Sequence, residues 1–382
     1  MDYSFTEQQQ MIIETAREIT NQKIIPMRAE LDEKNQFPRS ILQDIVKADL
    51  FAVFVPEEYG GLGGSCFEIV LVLEELARGC VGVATTFAAS ALGILPIIIS
   101  GSDEQKQKYL PDVANGTKWA AFGLTEANAG SDASGIRTTA VEDGNFWVLN
   151  GTKQWITNGG ESQIYTIVAL TDPDRKARGA SLFVVEDGDP GFSYGKKEDK
   201  MGIRSSSTRE LIMKDCRIPK NRLIGRRGAG FITVMETLDM SRPGIAALGV
   251  GLAQAALDEA VPYAKHRVQF GKPIISFQAV QHMLADMAIQ LEAARALVYA
   301  AARHIDSNPK NMSKASSMCK VFATDMAMKV TTDAVQVLGG YGYMKEYPVE
   351  KMMRDAKVLQ IYEGTNQIQR NVVGQALNKE YS

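Results

Sequence analysis

The chain has four cysteines and three histidines in 382 residues. Cys66, Cys80, Cys216 and Cys319 stand far apart with no Cys-x-x-Cys pair, which suits reduced thiols rather than a disulfide framework. With His266, His282 and His304 beside them, no zinc spacing can be assembled, and no metal is expected. A charge excess is missing too. Lys and Arg number 42 against 45 Asp and Glu, a net charge of −3, without the basic tail or face that a phosphate backbone demands, so no nucleic acid is expected as a partner. Apolar runs are short: the longest, Ala88 to Ile99, holds Gly93 and Pro96, whereas a spanning helix needs about 20 residues, and no membrane span is expected. The start, Met1 to Glu7, has neither the basic flank and apolar core of a secretory signal nor the Arg-rich character of a transit peptide, which predicts a cytoplasmic protein.

What is present is a globular balance, 45% hydrophobic and 23% charged residues, and at roughly 100 to 200 residues per domain the length predicts two or three domains. Residues 1–119 read as helix. Thr6 with Gln9 forms a capping box ahead of a face of Met11, Ile12, Ala16 and Ile19, and Glu68 to Ala77 repeats the period. Between them Pro56 to Gly64 is a glycine-rich loop, read as a flexible connector because no Lys-Ser/Thr follows to make a phosphate cradle. Over residues 120–230 the period turns to alternation. Phe146 to Leu149 and Thr152 to Ile156 flank Asn150-Gly151, a two-residue hairpin signal, and short runs follow at Ile164 to Leu170, Ala180 to Val185 and Thr208 to Ile212. With no helix-length segment between the runs, an antiparallel barrel or sandwich is predicted. Residues 231–382 return to helix. Val280, Met283, Leu284, Met287, Leu291, Ala294, Val298 and Ala301 keep one face, and a second long segment from Lys314 to Leu338 stops at Gly339-Gly340.

Glu363 stands where a mostly apolar run, Val358 to Tyr362, meets Gly364, which breaks a helix, and Thr365 or Asn366, either of which can cap the next. A carboxylate held there is placed as a general base would be; a solvated charge complementing a helix dipole is the other reading. Phe122 to Asp132 leaves a strand for a loop of hydroxyls and small residues, able to hold a nucleotide cofactor through N–H groups or to be a bare turn. Trp155 beside Thr157 suits a planar ring or the core. Arg267 to Ile274 interrupts two helices with an Arg that can fork onto a phosphate or simply lie exposed. Asp239 and Arg242, three apart on a helix, suit an ion pair or an anionic, adenine-bearing ligand.

Taken in order, Gly123-Leu124-Thr125-Glu126 with Gly130-Ser131-Asp132, Arg267 with Phe270-Gly271-Lys272, Gln336 through Gly342, Met353 through Ala356, and Ile361 through Thr365 closely resemble the acyl-CoA dehydrogenase family over nearly the whole chain. Tyr194 to Gly202 is similar to the butyryl-CoA dehydrogenases of anaerobic bacteria, of the short- and medium-chain type. The resemblance implies an α+β multidomain fold, with an N-terminal helical domain, a central antiparallel β-barrel-like domain and a C-terminal four-helix bundle. It implies noncovalently bound FAD, an acyl-CoA or enoyl-CoA substrate, an electron-transferring flavoprotein as partner, and a homotetramer. It makes Glu363 the catalytic base. Phe122, Leu124, Thr125 and Ser131 match the flavin loop, Ser131 also lying near the thioester arm, and Trp155 and Thr157 match the pair against the isoalloxazine ring. Arg267, Phe270 and Gln278 match contacts to FAD of the neighbouring subunit, and Gln336, Gly340, Thr365 and Gln367 match further flavin contacts. Asp239 and Arg242 match the grip on the CoA moiety, with Tyr362 and Gly364 beside the substrate.

The implied reaction is α,β-dehydrogenation. Glu363 takes the α-proton, a hydride leaves the β-carbon for flavin N5, and trans-2-enoyl-CoA forms, while the backbone N–H of the base and a ribityl hydroxyl hold the enolate oxygen. The same site run as an enoyl-CoA reductase, fed by an electron-transferring flavoprotein in an anaerobe, is the alternative, since sequence sets no direction. From a different class, a noncatalytic helical scaffold would keep the bundle and have no use for Glu363 or the flavin loop. Relatives that carry the base on the other helix have it where this chain has Ser241. Relatives acting on glutaryl-CoA carry an Arg in the segment matching Val83 to Leu92, which holds no cation here, so a dicarboxylic acyl chain is not expected.

Overall fold

The computed structural model describes residues 3–308 and 312–381; Met1 and Asp2, where the leader reading begins, lie outside them. α1 (Glu7–Ile19) opens on the predicted Thr6–Gln9 capping box and buries Ile12, Ile13, Ala16 and Ile19. Met11 is exposed instead, because it lies one helical step outside a stripe that includes Ile13. α2 (Ile25–Glu33) and α3 (Arg39–Lys47) follow, and the Pro56 to Gly64 segment leads into α4 (Cys66–Gly79), which carries a second capping box of Ser65 and Glu68. α5 (Val81–Ser100) and α6 (Asp103–Ala114) complete this part. Pro96 lies inside α5 rather than ending it, since burial of the helix outweighs one lost backbone hydrogen bond. α5 and the later α7 (Gly230–His266) are therefore long and apolar enough to cross a bilayer by length and composition, yet 72% of the relevant window of each is buried inside the protein.

β1 (Ala120–Gly123), β2 (Thr139–Asp143), β3 (Phe146–Thr157), β4 (Ile164–Leu170), β5 (Ala180–Glu186), β6 (Phe192–Tyr194), β7 (Thr208–Pro219) and β8 (Leu223–Ile224) form one sheet ordered β6-β7-β3-β2-β4-β5-β8, with β1 beside β4. Most neighbours are antiparallel, as predicted. β1 and β2 run parallel to β4, and β6 and β8 end the path without pairing with each other, so the barrel-like sheet is mixed and open. Asn150-Gly151 is not a hairpin. β3 runs unbroken through it, and the pairing with β7 shifts register there, Lys214 and Asp215 facing the single Asn150. Two hydrogen bonds tie Asn150 to Asp215, and a Cβ on Gly151 would overlap Thr138. Long-range pairing overrides the local turn signal. The actual turn is Gly144-Asn145, between β2 and β3, with Gly144 at φ +57°.

After α7 a two-stranded ribbon, β9 (Val268–Gln269) and β10 (Lys272–Pro273), precedes α8 (Gln278–Ser307), α9 (Ser313–Leu338), α10 (Val349–Leu359) and α11 (Asn366–Glu380). α8 buries Leu284, Met287, Leu291, Ala294, Val298 and Ala301 as its period predicts. α7 packs on α8 and α9 and also on α4 and α5, so one core joins the two helical parts, while Trp147, Tyr165 and Phe183 belong to a second core within the sheet.

Candidate active site

Glu363 lies between α10 and α11 at φ +52°, followed by Gly364 at φ +93°. Two left-handed residues in succession reverse the chain; a Cβ at Gly364 would stand 2.3 Å from Gln369 Nε2, so glycine is required there. Thr365 then caps α11, accepting from the Ile368 N–H. A glutamate in this conformation is strained by on the order of 1 kcal/mol or more and needs its surroundings to hold it. Four donors do so. Arg242 Nε donates to the Glu363 carbonyl (3.1 Å), Lys320 Nζ to the Gly364 carbonyl (2.9 Å), and Gln369 Nε2 reaches both (3.3 and 3.4 Å). Ser241 Oγ–H donates to Glu363 Oε2 at 2.5 Å. The Glu363 N–H makes no hydrogen bond among the described residues.

Desolvation raises the Glu363 carboxyl above the ordinary carboxylate range, against the opposing pull of the Ser241 hydrogen bond and the charges of Arg242 and Lys320. Glu363 is half-buried against the cavity walls rather than exposed as a freely solvated charge would be. Burial also lowers the Lys320 ammonium to about 8 and pushes the Tyr362 hydroxyl, 3.4 Å from Thr85 Oγ1, well above its usual range.

Two cavities share Glu363, Ala88, Leu92 and Ile245 as walls. The larger, about 580 Å³, gathers most of the sequence-predicted residues: Phe122, Leu124, Thr125, Ser131, Trp155 and Thr157 from the sheet side, Asp239, Arg242, Tyr362, Glu363 and Gly364 from the helices. Trp155, at φ +57°, is 57% exposed, presenting its ring rather than burying it. The hydroxyls of Thr125, Ser131 and Thr157 make no hydrogen bonds among the described residues. Beneath this loop, Glu126 accepts from the Arg137 and Thr138 N–H groups and from fully buried Lys153 (2.7 Å), whose ammonium also donates to the Leu124 carbonyl (3.0 Å). Asp239 and Arg242 do form an ion pair, 2.5 Å, while both still face the cavity.

The second cavity, about 310 Å³, runs from Glu363 and Ser241 between Phe54, Leu73, Ala91 and Leu95 toward Asp306. Glu57, Asp306 and Glu363 are its charged lining residues, and no cation lines it among the described residues. Gly63 and Gly64 line it too, so the loop read as a mere connector is a wall of the site.

The other predicted residues stay outside both cavities. Arg267 and Gly340 line a separate hollow of about 500 Å³, the guanidinium 5.3 Å from the Tyr341 ring centre. Phe270 is 93% exposed on the ribbon turn, Gln278, Gln336 and Gln367 are exposed, and Thr365 serves as the cap. Sequence reasoning named Arg242 for another role and missed Lys320 and Gln369 as donors to the Glu363 turn. A signal was present for Lys320: it shares the inward face of α9 with Ser316, Ala323 and Ala327, and a lysine there must find a buried partner.

Three family models match the chain: "Acyl-CoA dehydrogenase, N-terminal domain" over residues 6–117, "middle domain" over 121–216 and "C-terminal domain" over 228–378. A probable acyl-CoA dehydrogenase, FadE25, of Mycobacterium tuberculosis is 50% identical, covering 94% of this chain and 93% of that one. An acryloyl-CoA reductase (NADH) of Anaerotignum propionicum is 43% identical over 99% and 96% of the two chains. Among solved structures, a chain from work on the electron transferring flavoprotein of Acidaminococcus fermentans and flavin-based electron bifurcation matches with a TM-score of 0.96 at 48% identity, covering 99% of each chain. Butyryl-CoA dehydrogenase of Megasphaera elsdenii matches at 0.96 and 45%, covering 99% and 100%. An acyl-CoA dehydrogenase of Bacillus anthracis complexed with FAD matches at 0.93 and 36%, over 98% of this chain and 69% of that one.

Proposed function

The chain belongs to the acyl-CoA dehydrogenase family, and from that premise we propose that it is an FAD-dependent acyl-CoA dehydrogenase whose Glu363 removes the α-proton of an acyl-CoA thioester. The observation that carries this reading is a desolvated carboxyl, held by a strained and fully pinned turn, at the meeting of two cavities. Burial gives the carboxylate the proton affinity that a weakly acidic α-carbon requires, while the Ser241 hydrogen bond and the charges of Arg242 and Lys320 pull the other way. The unpartnered Glu363 N–H is a donor ready for the thioester oxygen as negative charge develops there. Loss of the α-proton and the β-hydrogen with its electron pair leaves trans-2-enoyl-CoA.

The larger cavity fits FAD by its donor set. It offers an exposed indole face, three uncommitted hydroxyls and small-residue backbone, suited to a planar ring edged with carbonyls. FAD, when bound, supplies the acceptor for the β-hydrogen and its electron pair. Phe122, Leu124, Thr125, Ser131, Trp155 and Thr157 would hold it. Arg267, Phe270 and Gln278 would reach the cofactor of a neighbouring copy in a homotetramer, which the exposure of Phe270 supports, and Gln336, Gly340, Thr365 and Gln367 would make further flavin contacts. Asp239 and Arg242 would grip CoA, Tyr362, Gly364 and Ser131 would flank the thioester, and the apolar 310 Å³ cavity would take the acyl tail. A cytoplasmic location belongs to the same reading, with α5 and α7 serving as core helices.

An electron-transferring flavoprotein is the proposed redox partner, supported by the Acidaminococcus likeness. Operation as an enoyl-CoA reductase is the second reading, favoured by the acryloyl-CoA reductase relative. Anaerobic titration with a panel of acyl-CoA and enoyl-CoA esters tests both: acyl esters should bleach the flavin, and enoyl esters should reoxidise the reduced protein. No response to any ester would overturn the function.

A further inference from the structure

Three lysines in the described residues are buried, and two of them are paired with carboxylates: Lys153 with Glu126, and Lys351 with Asp355 at 2.5 Å. The third, Lys320, is fully buried and makes no ion pair. Burying an ammonium without a counter-ion is costly, so the fold must draw something from its position. Its Nζ lies under the Glu363 turn, donating to the Gly364 carbonyl (2.9 Å) and to Asn366 Oδ1 (2.8 Å), while the Asn366 amide is fixed in turn by Thr324 Oγ1 (2.9 Å) and Asp325 Oδ1 (2.7 Å). Of the charges acting on the ammonium, the Glu363 carboxylate is the foremost.

We propose that Lys320 is a positioning residue: it locks the left-handed Glu363–Gly364 turn through the Gly364 carbonyl and supplies the buried positive charge against which the Glu363 carboxylate ionises. The inference rests on Glu363 being the base. The groups facing that carboxylate are few. From α7 come Ser241 and Arg242, the latter already neutralised by Asp239; from α9 comes Lys320, with Asp325 turned toward Arg370 of α11; from the turn itself comes Tyr362; and the carboxylates of Glu57, ahead of α4, and Asp306, on α8, line the tail cavity. Lys320 is thus the cation near Glu363 not already committed to a carboxylate of its own.

The test compares Lys320→Met, Lys320→Gln and Lys320→Arg in the FAD-loaded enzyme, following the pH profile of kcat with one acyl-CoA ester and an artificial electron acceptor. Lys320→Met removes charge and donor. Lys320→Gln keeps a neutral donor for the Gly364 carbonyl and so folds even if the methionine variant does not. Both neutral variants should move the acid limb upward by on the order of one pH unit, with kcat lowered and KM nearly unchanged, and Lys320→Arg should restore the limb. A folded neutral variant whose acid limb coincides with that of the wild type overturns this inference alone. Retained turnover in Glu363→Gln, measured alongside, overturns the base assignment and this inference with it.

Discussion

The Ser241 hydroxyl donates to Glu363 Oε2 across 2.5 Å, joining residues 122 positions apart in the chain. The bond favours the ionised carboxylate, while burial of the same group favours the neutral acid, and burial prevails. The resulting group is a carboxyl that ionises late and holds its proton readily, suited to alternate between base and acid within one turnover.

Glu363→Gln should abolish α,β-dehydrogenation, by about 10² to 10⁴ or more in kcat, while FAD is retained. Near wild-type bleaching by acyl-CoA would refute the assignment. Stability should move the other way. A carboxyl raised in the folded state costs stability as pH rises through its folded value, so Glu363→Gln should melt above the wild type at neutral pH, with the gap closing below the ordinary carboxylate range. Melting curves at pH 4 and pH 7 would check the sign.

Ser241→Ala removes a hydrogen bond to a charged group, an interaction of about 1.5 to 3 kcal/mol. The Glu363 carboxyl should rise further, and the acid limb of kcat/KM should shift to higher pH. An unmoved limb would mean that the hydroxyl does not act on the ionised form.

Ala91→Phe should fill the 310 Å³ tail cavity, whose walls include Leu73, Leu95 and Phe54. One methylene in an apolar pocket is worth about 1 to 3 kcal/mol, so the ratio of kcat/KM for octanoyl-CoA over butyryl-CoA should fall at least about tenfold. An unchanged ratio would place the tail elsewhere. The lining acids Glu57 and Asp306 should make ω-carboxylated esters poor substrates for the unaltered enzyme.

Arg267→Ala and Phe270→Ala should each weaken FAD retention and assembly together, since both residues lie away from the Glu363 cavity and Phe270 is 93% exposed. Gel filtration with flavin absorbance reads both quantities. Full flavin content in an intact oligomer for both variants would remove the shared site.

The helical parts were legible because their signals are local. The Thr6–Gln9 cap, the stop at Gly339 and the α8 stripe from Val280 to Ala301, whose first two members are only partly buried, each lie within a few turns of chain and appear as read. The sheet was less so. Asn150-Gly151 has the composition of a hairpin, but β7, some sixty residues downstream, pairs across it, and no local pattern reports such a partner. Among candidate site residues, Glu363 could be marked from the break at Gly364 and the cap at Thr365, and motif order brought in the Phe122 to Asp132 loop and the Asp239–Arg242 pair.

The order of residue types along this one chain therefore determined the helical, β and helical succession, the family and the identity of the candidate base. Tertiary structure alone decided the environment of that candidate base. Its altered ionisation comes from burial between α5, α7 and α9, its conformation from donors on Arg242, Lys320 and Gln369, and its access from two cavities whose walls are distant in sequence. Propensity and periodicity act over a few residues, whereas desolvation and charge act through space, so they exist for Glu363 only once those helices have packed.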